Sequence, residues 1–252
     1  MHWKQIVRKT AYWIVPQGIN TFLEQRYTLS KTRLNSQEIS VLKKNHDLYN
    51  IHSGERCFVI ATGPSIKKQD LKLLQGEICI AVSNFFIHPD FPLIKPRYYC
   101  VAPYHKPITE EAWQSWMREM GAGTEDAIMF FGLSDRKRNQ QNGFFANRQI
   151  HYLAFSGSFE RLTEQEIDIV GMVPGPQSVT IMALEIAIYM GFKQIYLLGC
   201  DHDWILHLGE SKHFYEEKQH ALNKEGYNEW FVSDLESYFH DYINLWQQYK
   251  KL

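Results

Sequence analysis

The chain has 252 residues, 44% hydrophobic and 14% aromatic, with a formal net charge of −1. Such a length carries one large α/β domain, alone or with an appendage, and the charge balance gives nucleic acid no field to follow. No apolar run reaches the ~20 residues of a membrane span, and the charges interleaved through residues 1–15 argue against a cleavable signal peptide. The four cysteines, Cys57, Cys79, Cys100 and Cys200, are far apart and form no CxxC pair. They read as reduced core thiols of a cytoplasmic protein, not as a disulfide frame or a zinc site.

Residues 1–33 are basic: Lys4, Arg8, Lys9, Arg26, Lys31 and Arg33 stand against Glu24, with Trp3, Ile6, Trp13 and Ile14 among them. Two readings stand. One is a helix packed on the domain or on a partner chain; the other is a peripheral helix on an anionic membrane surface, at the inner face. Residues 1–50 are expected to form a helical appendage and residues 51–252 the main α/β domain. Within the appendage Gln37–Tyr49 reads as a helix, with Ser36 as N-cap and Ile39, Leu42 and Leu48 as its apolar contacts.

The stretch from Cys57 to Ile66 organises the rest of the chain. Phe58-Val-Ile-Ala61 is a short continuous apolar run, as in a parallel strand buried on both faces. Thr62-Gly63-Pro64-Ser65 stops it. Gly63 permits a close backbone approach, and Pro64 suits the first turn of a helix. A strand, a glycine loop and a helix start can aim free N–H groups at a phosphate; a plain strand-to-helix connection is the alternative. A short helix is expected over Lys67–Leu74, ended by Gly76. A second strand, Glu77–Ser83, delivers Asn84 at its carboxyl end, where ligands of open parallel sheets bind; the alternative for Asn84 is a turn former.

Arg97–Ala102 is the third strand. Thr109–Met120 is a helix with Trp113, Trp116 and Met117 on one core-facing stripe. Ala127–Phe131 is a further strand, the charged run Asp135–Asn142 reads as an exposed loop, and residues 143–173 read as an irregular lid or subdomain. Gly175-Pro176-Gln177-Ser178 opens a helix over Val179–Met190 that is apolar nearly all round and so buried. Gly191 caps it, and a strand over Lys193–Gly199 delivers Asp201-His202-Asp203. Ser233–Leu252 is a final amphipathic helix. The order of elements predicts an α/β fold, a Rossmann-like, mostly parallel sheet flanked by helices, with a helical N-terminal appendage.

Three polar tips are then expected at one edge: the Thr62 loop, the helix start at Gln177 and Ser178, and the Asp201 strand end. Asp201 and Asp203 have the spacing that lets two carboxylates share Mg2+ with a diphosphate. A contact from Asp201 to ribose hydroxyls is favoured over a metal ligand, and no residue is assigned to a metal. Neutral imidazoles at His202, His207 and His213 suit proton transfer near pH 7, although for each histidine alone a structural role is the simpler reading.

The blocks Phe58-Val-Ile-Ala-Thr-Gly-Pro-Ser-Ile-Lys67, Ser83-Asn84-Phe-Phe and Gly191-Phe-Lys-Gln-Ile-Tyr-Leu-Leu-Gly-Cys-Asp201 resemble the bacterial sialyltransferases of glycosyltransferase family 42. They resemble at least as closely the MptE-like Rossmann proteins, many of them from surface-polysaccharide pathways. The resemblance covers roughly residues 56–86 and 175–216. It implies a CMP-sugar donor, sialic-acid-like, and a glycan or glycolipid acceptor. Thr62, Gly63, Pro64 and Ser65 would meet its phosphate and ribose, Asn84 the cytidine or phosphate, and Ser178, with Gln177 beside it, the donor. Gly199 and Asp201 would hold the nucleoside, with Tyr215 also on the substrate and His213 as base. His202 and Asp203 are the other catalytic candidates. Such transfer requires no cofactor. The sialyltransferase loop carries Asn where this chain has Thr62, and Asp201-His-Asp203-Trp and His213-Phe-Tyr match the MptE-like group. That group includes magnesium-dependent pterin diphosphokinases using ATP, the alternative reaction; a non-catalytic nucleotide-binding protein of polysaccharide assembly is another. Relatives also carry a further strand after the last helix.

Overall fold

The computed structural model describes residues 34–106, 108–124, 126–156, 167–206, 213–215 and 235–252. The chain divides into two compact units, Met1–Ile39 and Ser40–Leu252. The proposed membrane-facing segment, residues 1–33, lies outside the described residues, as do His207 and His220. Among the described residues no helix is long and apolar enough to cross a membrane.

Helix α1 (Ser36–Leu42) is capped one residue earlier than expected. Asn35 Oδ1 accepts Glu38 N–H and Glu38 Oε2 accepts Asn35 N–H, at 2.9 and 2.8 Å, a reciprocal capping box that Ser36 does not enter. Ile39, expected as an apolar contact, is 42% exposed, whereas Leu42 and Leu48 are buried. The helix gives way to a 3-10 turn, Lys43–Leu48. There the buried Asn45 donates to the carbonyls of Tyr152 and Ile169, at 2.9 and 2.7 Å. Residues 40–50, read from sequence as appendage, are thus built into the α/β unit.

That unit is a seven-stranded sheet in the order β6-β5-β4-β3-β2-β1-β7 with every pairing parallel. The strands are β1 (Arg56–Ile60), β2 (Cys79–Val82), β3 (Tyr98–Cys100), β4 (Ile128–Gly132), β5 (Ile150–Ser156), β6 (Met172–Pro174) and β7 (Gln194–Leu198). Alternate side chains enter two cores. Ile60, Ala81, Tyr99 and Phe131 pack with Trp113, Met117 and Met120 of α2 (Glu110–Gly123). Val59, Ile80, Tyr98 and Phe130 pack with Met182, Ala183 and Ile186 of α4 (Val179–Tyr189). The apolar runs of β2 and β3 read as they do because both faces are covered. Strands β1 to β6 step in one direction, and β7 then returns to the far side of β1. The order of the sheet therefore reverses between β1 and β7, the position where open α/β sheets bind ligands.

Several elements differ from the sequence reading. Asp135–Asn142 is not an exposed loop: it contains helix α3 (Arg136–Asn142), ended by Gly143 at φ 67°. The charges there have partners. Buried Asp135 accepts Tyr104 N–H at 2.9 Å and pairs with Arg138 at 3.3 Å, and Arg138 also bonds Glu110 at 2.9 Å. Residues 143–173 contain β5 and most of β6, so part of the expected lid is sheet. Lys67–Leu74 forms no α-helix; two 3-10 turns, Pro64–Lys68 and Leu71–Leu74, take its place. Strand β7 lies within one residue of the expected bounds and is an edge strand among the described residues, with Tyr196 and Leu197 42% and 40% exposed. The final helix α5 (Leu235–Lys251) lays Leu245 on Ile181 and Leu184 of α4.

Candidate functional site at the carboxyl edge of the sheet

The end of β1 and the end of β7 are locked together. Gly63 N–H donates to Gly199 O at 2.8 Å, and Ser65 N–H donates to Asp201 Oδ2 at 2.8 Å. Ser65 Oγ donates to Asp201 Oδ1. A Cβ on Gly63 would stand 2.5 Å from both Asp201 Oδ2 and Gly199 O, so the close approach is what demands glycine. The backbone itself is ordinary at Gly63, with φ −63°. Gly199 is constrained twice, by φ 64° and by the Ile66 side chain, 2.5 Å from where its Cβ would lie.

This geometry corrects one expectation. The Gly63–Ile66 turn does not present free N–H groups to a phosphate. Gly63 and Ser65 donate as above, Pro64 has no N–H, and Ile66 N–H donates to Gly63 O at 3.2 Å. The Asp201 carboxylate occupies the anion's seat at the turn. Both of its oxygens bond Ser65, and Gly199 anchors the turn through its carbonyl.

Thr62 faces the other way. Its carbonyl accepts Phe214 N–H at 2.8 Å, and its Oγ1 lies 2.9 Å from His213 Nδ1. His213 stacks on Tyr215, with ring centroids 4.7 Å apart and planes 17° from parallel. Tyr215 in turn receives Asn84 Nδ2–H on its hydroxyl at 3.0 Å, while Asn84 Oδ1 accepts Trp116 Nε1–H at 2.5 Å. Asn84 is therefore neither a turn former alone nor free for cytidine: its buried amide joins the 213–215 segment to α2.

Asn84 is aimed by a strained residue. Ser83 has φ 51°, in the left-handed region that L side chains avoid. The Tyr99 hydroxyl holds the turn, donating to Ser83 O at 2.7 Å and accepting Phe86 N–H at 3.0 Å. Beside Ser83 and Asn84 opens a cavity of about 60 Å³, walled by Tyr104, Ile108, Trp113, Trp116, His213 and Tyr215 among others. It lies beyond the carboxyl ends of β2 and β3, with Thr62 behind His213 at its margin.

The third tip is roofed by α5. Ser178 caps α4, its Oγ accepting Ile181 N–H at 3.4 Å. Gln248 accepts Gln177 N–H at 2.7 Å and donates to Gly175 O at 3.0 Å. His202 Nε2 lies 2.6 Å from the Tyr249 hydroxyl, and burial lowers the imidazole's pKa against the pull of Asp201 and Asp203. His202 is thereby tied to the terminal helix and stands apart from the cavity wall, and Asp203 is exposed. Among the described residues no group of three or more His, Cys, Asp and Glu side chains is placed to hold a metal ion.

The structure thus joins Thr62, Asn84, His213 and Tyr215 around one cavity and engages Gly63, Ser65, Gly199 and Asp201 with one another. Gln177, Ser178 and His202 lie under α5. Trp113 and Trp116 belong to the core, as the sequence implies, with 0% and 4% exposure, and the sequence analysis passes over Tyr104 and His105. The rule that ligands sit beyond strand ends, applied to β3 as it was to β2, points to both.

No protein-family model and no curated protein matches the chain. Among solved structures it is similar to the sialyltransferase CstII from Campylobacter jejuni, described in complex with the substrate analogue CMP-3FNeuAc. The two are 16% identical, with a TM-score of 0.43 over 78% of this chain and 79% of that chain.

Proposed function

We propose that the chain is a glycosyltransferase that moves a sugar from a nucleotide donor, CMP by the motif resemblance, to a hydroxyl of a glycan or glycolipid. One observation carries the reading: a histidine, His213, held by Thr62 in the wall of a cavity at the carboxyl edge of a parallel sheet. With Nδ1–H donated to Thr62 Oγ1, Nε2 is the basic nitrogen and takes the proton of the acceptor hydroxyl. The acceptor oxygen bonds to the anomeric carbon as the bond to the donor phosphate breaks, and the nucleotide leaves with the electron pair. The Asp201–Ser65 lock closes the Gly63–Ser65 turn to the departing phosphate, whose charge is met elsewhere at this edge. In this reading Asp201 is engaged by Ser65, so Asp201 and Asp203 do not act together on a metal.

Calorimetric titration with CMP, CTP and ATP, each with and without Mg2+, tests the donor, and a mass-spectrometric screen of CMP-sugars tests the transfer. CMP binding that is independent of metal, with transfer abolished in His213→Ala, is the expected result. Magnesium-dependent ATP binding without CMP binding would replace the reading with diphosphate transfer to a pterin. CMP binding with full activity in His213→Ala would remove the base, and CMP binding without transfer would leave a nucleotide-binding assembly protein.

A further inference from the structure

Helix α5 has two unlike faces. Its inner face lays Leu245 on α4 and carries Gln248 and Tyr249 to Gln177 and His202. Its outer face is apolar where water would favour polar side chains. Phe239, Ile243 and Trp246 are 45%, 54% and 47% exposed. Spaced four and three residues apart, they form one stripe along the helix.

The stripe continues at both ends with the same spacing. Glu236 lies three residues before Phe239, Lys250 lies four after Trp246, and both are exposed. Positions 236, 239, 243, 246 and 250 thus alternate steps of three and four, the pattern of a coiled-coil seam. A single exposed hydrophobe needs no explanation, but an apolar seam ending in opposite charges is the pattern of a face built to pair.

The charges at the two ends name the occupant. Glu236 and Asp241 belong to the first half of the helix, and Lys250 and Lys251 to its last turn. A second copy laid antiparallel, with the two-fold axis at Ile243, brings Phe239 of one copy to Trp246 of the other. It brings Glu236 of each copy to Lys250 of the other. A parallel copy would instead set glutamate on glutamate and lysine on lysine. Antiparallel helices also oppose their dipoles favourably. The acidic and basic residues of α5 cancel, so the face has no basic excess to draw it to an anionic membrane.

We infer that the chain forms a two-fold dimer through the outer face of α5, packed antiparallel with Ile243 at the axis and closed at each end by a Glu236–Lys250 pair. From Glu236 to Lys250 the seam runs about 21 Å at 1.5 Å per residue. So short an interface dissociates on dilution, unlike an obligate one. The seam backs onto the residues that roof α4, so the dimer also holds α5 in place over Gln177.

Sedimentation velocity of the full chain between about 1 and 200 µM tests the dimer, and the parent is expected to pass from monomer to dimer across that range. Ile243→Asp sets two like charges at the axis and should weaken association roughly 100-fold. Its melting temperature in dilute solution should match the parent's, because Ile243 is exposed. Glu236→Lys and Lys250→Glu should each weaken the dimer about 3- to 10-fold at low salt, and the two variants mixed should regain the parental association. A parent that stays monomeric throughout, with or without sedimenting on phosphatidylcholine–phosphatidylglycerol vesicles, would overturn the inference. So would a dimer that survives Ile243→Asp, or one that neither charge reversal weakens, as a parallel pair would behave.

Discussion

Thr62 illustrates how a single side chain can be read for the right place and the wrong partner. Its position at the end of an apolar strand marks it for the carboxyl edge, and there it stands. Its hydroxyl meets His213 at 2.9 Å, a contact 151 residues away in sequence that no local pattern announces. If Thr62 fixes the imidazole, Thr62→Val should lower the transfer rate about 10-fold with little change in donor affinity, and Thr62→Ser should restore it. Equal loss in both variants would make Thr62 merely structural. Glu185 is a second residue whose setting the sequence hid. The apolar periodicity of α4 predicts a buried helix, and burial takes Glu185 in with it, 0% exposed and with neither oxygen bonded. Burial pushes its carboxyl from the ordinary 4.5 up to about 9. The folded chain then keeps a proton that the unfolded chain releases near pH 4.5, so between those values stability falls as pH rises, by at most about 1.4 kcal/mol per pH unit. Glu185→Gln should match the parent near pH 4.5 and exceed its melting temperature increasingly toward pH 8. Parallel melting curves across that range would show that Glu185 does not titrate this way.

Elements were legible where pattern and partner are both local. The runs of β1, β2, β3, β4 and β7 and the stripes of α2 and α4 are set by burial of side chains a few residues apart, and their bounds were read to within a few residues. Helix α3 and strands β5 and β6 were not legible, because distant residues make them. Asp135 and Arg138 are neutralised by Tyr104 N–H and Glu110, and β5 is fixed by its ladder to β4 and by Asn45. The terminal helix α5 read correctly as amphipathic, yet its role over the α4 start could not be foreseen. Gln248 alone bonds Gln177 N–H and Gly175 O, and it is buried. Gln248→Ala should therefore cost about 1–3 kcal/mol of stability, from the polar groups left unmet. It should also raise the exchange rate of the Gln177 amide more than that of amides in β1. Uniform acceleration across the sheet would mean that the roof is only one more patch of core.

At the scale of the molecule, the parallel sheet with two covered faces accounts for the cysteines as well as the site. Cys57, Cys79 and Cys100 lie on β1, β2 and β3, all buried and all free. Burial pushes the thiols of Cys57 and Cys79 up to about 12, and that of Cys100 higher still. A thiol reagent at pH 8 should find them unreactive until the sheet opens, with their labelling rate rising in step with global unfolding by denaturant. Labelling without denaturant would mean that the central strands open on their own. The site belongs to this same architecture, since the reversal of strand order between β1 and β7 and the ends of β2 and β3 beside it are fixed by topology before any catalytic residue is chosen.

Asp201 carries a consequence for any anion that visits the Gly63–Ser65 turn. The carboxylate seated there is a tethered rival, and short tethers give effective concentrations in the millimolar range. Free inorganic phosphate or sulfate must displace it, so neither should occupy the turn at micromolar concentration.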